Sequence, residues 1–453
     1  MTHVFHPPKP YRTHLKTLMS LGLPLVGVNL AAMSVQIIDT IMLGRYNIEA
    51  LAGAVLGGSF YFVLFVMGAG FSNALMPVIA ADAAAGHDVQ VRRTTRMTLW
   101  LSMLFVGVTL PLTLNGEAIF LALGQEEGVA SEAGKYLWLM GFVMVPALLI
   151  NTFKSYLAAL ERAQIVFWVT VASAVLNGLL NYAFIFGNWG APELGIVGAA
   201  LGSLISQIVS AVVLLIYALR VAPEQKLLQR LWRPDWEAFW AMFALGWPVG
   251  LTSLAEVALF SASAVMVGWV GAVQLAAHGI VLQIASVTFM VHLGLAHAAT
   301  VRAGNAFGRK DSLNLRRGAL VASLASAAFA LICSVLFITA PDFLINLFLD
   351  PLEPARDQVL ALGATLLVLA ALFQLADGGQ AISLGLLRGL QDMRVPMIHA
   401  TISYWLVGLT ASYIMAFPLG FGAAGVWAGL VAGLASAWVL MGLRFWRQKS
   451  WLR

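Results

Sequence analysis

The sequence predicts an all-α polytopic membrane protein with twelve transmembrane helices. They form two six-helix bundles related by pseudo-two-fold symmetry, V-shaped with a central cavity. Three observations carry this reading: an apolar composition, twelve long hydrophobic segments with sharply one-sided charge between them, and an internal repeat. Of 453 residues, 60% are hydrophobic and only 10% are charged. Soluble domains carry about 25% charged residues. Mean hydropathy is +0.86.

The first hydrophobic segment follows MTHVFHPPKPYRTHLK, which is too polar for a signal peptide and has no cleavage pattern, so that segment is expected to be a true span. Cys333 is the only cysteine, which excludes an intrachain disulfide and a cysteine-based metal cluster. The net charge of +5 is read through its placement between spans rather than as a sign of nucleic-acid binding.

The twelve segments are about 17–44, 50–80, 97–116, 134–158, 166–187, 195–219, 239–268, 274–301, 319–341, 358–387, 399–417 and 422–443. With the N-terminus inside, the cytoplasmic segments hold 23 of the 26 Lys and Arg, Lys154 and Arg388 among them. The outer connections hold only Arg45, Lys135 and Arg356. That split places both termini in the cytoplasm, as expected for a multi-pass protein of the plasma (inner) membrane with an even number of spans. Trp232, Trp236, Trp240, Trp446 and Trp451 fall near span ends, where an aromatic belt would sit. The longest inner linker, 220–238, is expected to carry KLLQRLW as a basic amphipathic surface helix and to divide residues 1–219 from 239–453.

A shift of 224 residues matches the halves without gaps as far as Gly70, with small changes of offset beyond it. Gly22-Leu-Pro24 meets Gly246-Trp-Pro248, Met42-Leu-Gly44 meets Met266-Val-Gly268, and Gly70 meets Gly294. Later, Gly195-Ile-Val-Gly198 corresponds to Gly422-Ala-Ala-Gly425. Six spans per copy put both copies in the membrane in the same orientation, as in transporters built from two parallel repeats. The 42 glycines suit close helix packing.

Of 21 Asp and Glu, only Asp39, Glu256 and Asp377 lie inside spans. Each has polar neighbours at helical spacing: Gln36 before Asp39, Thr252 and Ser253 before Glu256, Gln374 and Gln380 around Asp377. Gly378-Gly379 would let the backbone bend beside Asp377. Span five carries a polar stripe of Thr170, Ser173, Asn177 and Asn181, which must face a partner or a wet cavity. Burial penalises the charged form of a carboxyl, so such acids exchange protons or hold a monovalent cation. The acids are not repeat-equivalent, since Asp39 aligns with Ser263 and Glu256 with Ala32. No Lys or Arg is read as lying deep enough in a span to neutralise them.

Other residues are weighed against plain packing. His278, His292 and His297 lack ligand spacing and read as packing or cavity residues, not metal ligands. Gln283 is placed at the cavity. Met67, Met76, Met140, Met144 and Met290 could line it, although methionine in spans is commonly core. No phosphate loop, nucleophile motif or zinc signature is present, so an ATP-driven pump or membrane hydrolase has no support and no cofactor is expected.

On these residues the chain resembles the multidrug and toxic compound extrusion (MATE) family, in its NorM-like bacterial branch. The resemblance covers essentially the whole chain. It implies export of lipophilic organic cations by antiport against Na⁺ or H⁺, by a protein that is not an enzyme and works as a monomer in contact with membrane lipids. The family's span-one acid matches Asp39, its span-five polar pair matches Asn177 and Asn181, and its span-seven and span-ten acids match Glu256 and Asp377, where a Na⁺ would be held. Some relatives carry Asp where Asn181 stands. Phe373 occupies the place of a tyrosine that some members use beside the cation, and it joins Gln36, Gln283, Gln374 and Gln380 as a candidate for the substrate cavity. Pro24 matches the position at which some relatives bend span one. The alternative is a lipid-linked oligosaccharide flippase of the same superfamily, whose anionic cargo would call for cavity cations.

Overall fold

A computed structural model describes residues 9–349 and 354–447. Trp451 lies outside them. The described chain is almost entirely helical: α1 Tyr11–Tyr46, α2 Ile48–Ala84, α3 Asp88–Leu114, α4 Gly116–Ala122, α5 Glu127–Ala159, α6 Ala163–Phe186, α7 Ile196–Val221 and α8 Trp236–Val270. The second half continues with α9 Ala272–Gly308, α10 Ser312–Thr339, α11 Pro341–Asn346, α12 Arg356–Gly389, α13 Arg394–Thr401, α14 Thr410–Ala416 and α15 Gly422–Arg447. Eleven of these helices among the described residues are long and apolar enough to cross a membrane. The twelfth crossing is composite. Residues Ile402–Leu409 form a π-helix that joins α13 to α14. Such insertions recur at functional sites. The exposed Trp232, Trp236, Trp240 and Trp446 are 78%, 58%, 60% and 46% accessible.

The chain forms two compact units, and their boundaries lie inside helices rather than in the 220–238 linker. One comprises the segment ending at Val26 together with the chain from Leu251, and the other is Gly27–Gly250. The first part of α1 thus packs with the C-terminal helices, and the first part of α8 with the N-terminal ones. Each boundary falls two residues beyond an intrahelical proline, Pro24 or Pro248.

Repeat glycines explain how these segments pack. In the Gly27–Gly250 unit, a Cβ on Gly70 would stand 2.6 Å from Gly250 Cα, and one on Gly246 would stand 2.8 Å from Phe71 Cα. In the other unit, a Cβ on Gly294 would stand 2.8 Å from Val26 Cα, and one on Gly22 would stand 3.1 Å from a Leu295 methyl. All four contacts obey the 224-residue shift. At Gly70, Gly246 and Gly294 the neighbour is backbone and no larger residue fits, whereas Gly22 meets a leucine side chain.

The expected surface helix KLLQRLW does not form. The segment is a chain of turns after a short 3₁₀ element, Pro223–Gln225. Lys226 and Arg230 adopt left-handed φ values of 46° and 56°, which interrupt helical hydrogen bonding. Its carbonyls are claimed by α3 instead: Arg96 Nη1 donates to Arg230 O at 3.0 Å and Trp100 Nε1 to Leu231 O at 2.9 Å. Asp235 then accepts from Ala238 N at 3.2 Å, capping α8, and pairs with Arg93 through Nε at 2.5 Å and Nη2 at 3.0 Å. Those arginine bonds hold the Asp235 carboxyl below the usual carboxylate range.

Candidate functional site

The sequence-predicted residues gather into two centres, one in each unit. In Gly27–Gly250 the centre joins α1, α6 and α7. Asn181 Nδ2 donates to Asp39 Oδ1 at 2.5 Å and to Asn177 Oδ1 at 3.2 Å, and Asn177 Nδ2 donates to Ser203 Oγ at 3.1 Å. Asn177 and Asn181 are fully buried, whereas Asp39 is half-buried. The four-residue spacing on α6 sets the two amides one above the other, so one reads the acid and the other α7. Gly202 makes room for this. A Cβ there would lie 2.5 Å from Asn181 Oδ1. That oxygen has no hydrogen-bond partner among the described residues.

The rest of the α6 stripe serves packing. Ser173 Oγ donates to Ser206 O at 3.4 Å, and Thr170 Oγ1 to Val166 O, four residues back on its own helix. Gln36, one turn before Asp39, is exposed. Tyr136 of α5 lies close enough to Asp39 to feel its charge. It had gone unremarked, as had Ser203 and Gly202. A polar partner stripe on α7 (Ser203, Ser206, Ser210) was the available signal.

The second centre lies in the other unit, on α8, α12 and the π-helix. Glu256 acts electrostatically on Asp377, on Tyr404 and on Arg388. Asp377 is 2% exposed, and its Oδ1 has no hydrogen-bond partner among the described residues. One turn further, Gln380 donates Nε2 to the Tyr404 hydroxyl at 2.8 Å, while its Oε1 is likewise without a partner there. A carboxylate oxygen and an amide oxygen i and i+3 apart on one helix are hard donors of the kind monovalent cations accept, and the carboxylate can instead take a proton. No cluster of three or more His, Cys, Asp and Glu that could hold a metal ion occurs among the described residues.

Several expectations are revised at this centre. Arg388 is expected in an inner connection, but α12 runs on to Gly389 and contains it, and its charge bears on Glu256. Lys154 likewise sits inside α5. α12 runs without a break through Gly378-Gly379. Those glycines admit neighbours instead: a Cβ on Gly378 would lie 2.6 Å from the His292 ring, and one on Gly379 2.7 Å from Trp438 Nε1.

Phe373, 2% exposed, is packed edge-on against Trp427 and Phe260, with ring centroids 5.5 and 6.1 Å away. Gln374 is fully buried, donating to Thr288 Oγ1 at 2.5 Å and lying 3.2 Å from His292 Nε2. Phe373, Gln374 and Gln380 therefore sit within the helix packing instead of lining an open surface, whereas Gln283 is half-buried. His278 accepts from Trp427 Nε1 at 3.1 Å, and His292 bonds Ser326 at 2.8 Å, both as packing residues. Met76, Met140 and Met144 are core.

Known proteins share this design. The MatE family model matches residues 24–183 and 248–414, one match in each sequence repeat. The chain is 43% identical over 435 residues to the "Probable multidrug resistance protein NorM" of Agrobacterium fabrum, covering 96% of this chain and 94% of that one. It is 33% identical over 447 residues to the "Multidrug resistance protein NorM" of Burkholderia vietnamiensis, covering 98% and 96%. Among solved structures, the eukaryotic MATE transporter AtDTX14 superposes with a TM-score of 0.83 at 19% identity, covering 97% of both chains. A MOP superfamily transporter from Pyrococcus furiosus superposes with a TM-score of 0.85 at 20% identity, again over 97% of each. The fold is thus the twelve-helix, two-lobe MATE fold, and the chain belongs to the MatE family of membrane transporters.

Proposed function

We propose that the protein is a multidrug exporter that expels lipophilic organic cations in exchange for Na⁺ or H⁺ by alternating access. The observation that carries this reading is the paired set of buried oxygens without a hydrogen-bond partner among the described residues: Asp377 Oδ1 with Gln380 Oε1 in one unit, and Asn181 Oδ1 beside Asp39 in the other. Buried hydrogen-bond acceptors are costly to leave unmet, so a proton or cation that satisfies them is bound tightly. Glu256 contributes to the field at Asp377 and is itself acted on by Arg388. A coupling ion can drive the switch only by binding one conformation better than the other. The names of the NorM relatives support the cargo class. The basic connections support cytoplasmic termini in the plasma (inner) membrane.

The test is ethidium efflux from proteoliposomes under separately imposed Na⁺ and pH gradients. Asp377→Asn and Glu256→Gln should each lower efflux at least ~100-fold at unchanged protein level, the scale of losing an interaction worth about 3 kcal/mol. Full-rate export by both variants would overturn the mechanism. Lys154 and Arg388, inside α5 and α12, favour the second reading, a flippase for an anionic lipid-linked oligosaccharide. In that case Lys154→Gln and Arg388→Gln would abolish flipping of such a lipid, and ethidium would not move under either gradient.

A further inference from the structure

The turns of the 222–233 segment and the start of α3 border an open cleft of about 580 Å³, lined by Arg92, Arg93, Arg96, Arg230, Arg233 and Asp235. We propose that this cleft binds a phosphate group, presented by the headgroup of an anionic phospholipid in the leaflet on the linker side. The placement of that leaflet rests on the orientation proposed above.

Charge is the first argument. Arg93 is taken up by Asp235 and Glu237, at 2.5 and 2.7 Å. Arg92 donates only to the neutral Gln229, at 2.9 Å, and neither Arg230 nor Arg233 has an ion-pair partner among the described residues. Arg96 is 7% exposed, stands 3.8 Å from Asp235, and has no hydrogen-bond partner for its Nε among the described residues. A buried guanidinium with an unmet N–H calls for a further acceptor. Several arginine forks converging on one cleft match the tetrahedral oxygens of phosphate better than a single carboxylate.

The repeat supplies the second argument. At the same shift of 224, Arg93 corresponds to Arg317 and Asp235 to Tyr11. There Arg317 sits 5.3 Å over the Tyr11 ring and donates to Lys9 O at 2.9 Å, and Lys9 N donates to Asn314 Oδ1 at 2.9 Å. The repeat thus gives its second arginine an aromatic ring and a main-chain carbonyl as partners, whereas in the Gly27–Gly250 unit Arg93 meets carboxylates at the edge of a basic cleft. Trp236 at the lip and Trp232 nearby are 58% and 78% exposed, the disposition of interface anchors. That favours a membrane source of the phosphate over a soluble one, since basic pockets beside helix ends hold anionic headgroups.

Native mass spectrometry of the full chain in detergent, titrated with phosphatidylglycerol or phosphatidylcholine, tests this. The protein should retain phosphatidylglycerol saturably and in preference to phosphatidylcholine. Arg92→Gln/Arg233→Gln should weaken that retention about tenfold or more, whereas Arg309→Gln/Lys310→Gln should not. If the double glutamine variant fails to purify, raising the ionic strength over the wild-type protein should weaken retention of phosphatidylglycerol alone. Equal retention by wild type and variant, or retention indifferent to salt, would overturn the site. Displacement of the lipid by millimolar inorganic phosphate, with thermal protection of wild type only, would overturn the lipid source. The readout is binding in detergent, so it stands or falls separately from export.

Discussion

Asn181 shows how much one side chain does when its surroundings are fixed. It holds Asp39 at 2.5 Å with the same amide nitrogen that reaches Asn177, and only the absence of a side chain at Gly202 permits that approach. Gly202→Ala should therefore push Asn181 off Asp39. Overpacking of this kind costs roughly 1–3 kcal/mol, read as a lower thermal midpoint in detergent together with impaired cation-driven efflux. A variant as stable and active as wild type would show that the amide tolerates displacement. The acids and the α6 amides were legible from sequence because charge and amide groups inside a span are conspicuous. Tyr404 and Gly202 were not, because a tyrosine or glycine inside an apolar run looks like packing until its neighbours on other helices are known. Arg388 stands one residue beyond the expected 358–387 span, whereas α12 ends at Gly389, the uncertainty inherent in ending a span where the first charge appears.

At the scale of elements, the repeat in the sequence marked which glycines matter but not what they meet. Gly70 and Gly246 permit α2 to cross the first part of α8, and Gly294 and Gly22 permit α9 to cross the first part of α1. Gly70→Val and Gly294→Val should be comparably destabilising, each forcing two backbones apart, with thermal unfolding of the purified protein as the check. The linker makes the opposite point. KLLQRLW has the composition of an amphipathic helix, yet hydrogen bonds from Arg96 and Trp100 to its carbonyls outweigh so short a helix's weak intrinsic stability.

Asp235 fastens the end of this linker, which yields a pH dependence. Its carboxyl titrates lower in the folded protein than in the unfolded chain, so its contribution is complete above the unfolded value near 3.9 and is lost as pH falls through the lowered folded value. Protection of the 222–235 amides relative to their intrinsic exchange rates should fall selectively below about pH 4, and Asp235→Asn should show the lower protection already at neutral pH. Protection that does not change across this range would mean that the Arg93 pairing does not secure the linker.

For the whole molecule, scaffold and chemistry follow different rules. The glycine crossings and the proline-marked unit boundaries repeat between the halves, while the acids do not: Asp39 aligns with Ser263 and Glu256 with Ala32. The two centres also draw on disjoint partners among the described residues. Asp39 is set by Asn181 and lies within reach of Tyr136, whereas Asp377 is set by Glu256 and the Tyr404–Gln380 pair. Mutations without shared partners add to within about 0.5 kcal/mol. The stability change of Asp39→Asn/Asp377→Asn in the absence of substrate should therefore equal the sum of the single changes, measured by denaturant or thermal unfolding at one fixed pH and Na⁺ concentration. A coupling energy above about 1 kcal/mol would mean that the centres sense each other even without cargo. Additivity would instead place their coupling in the proposed transport cycle, in which cargo and ion would compete, and efflux by the same three variants would then depart from the product of the single effects.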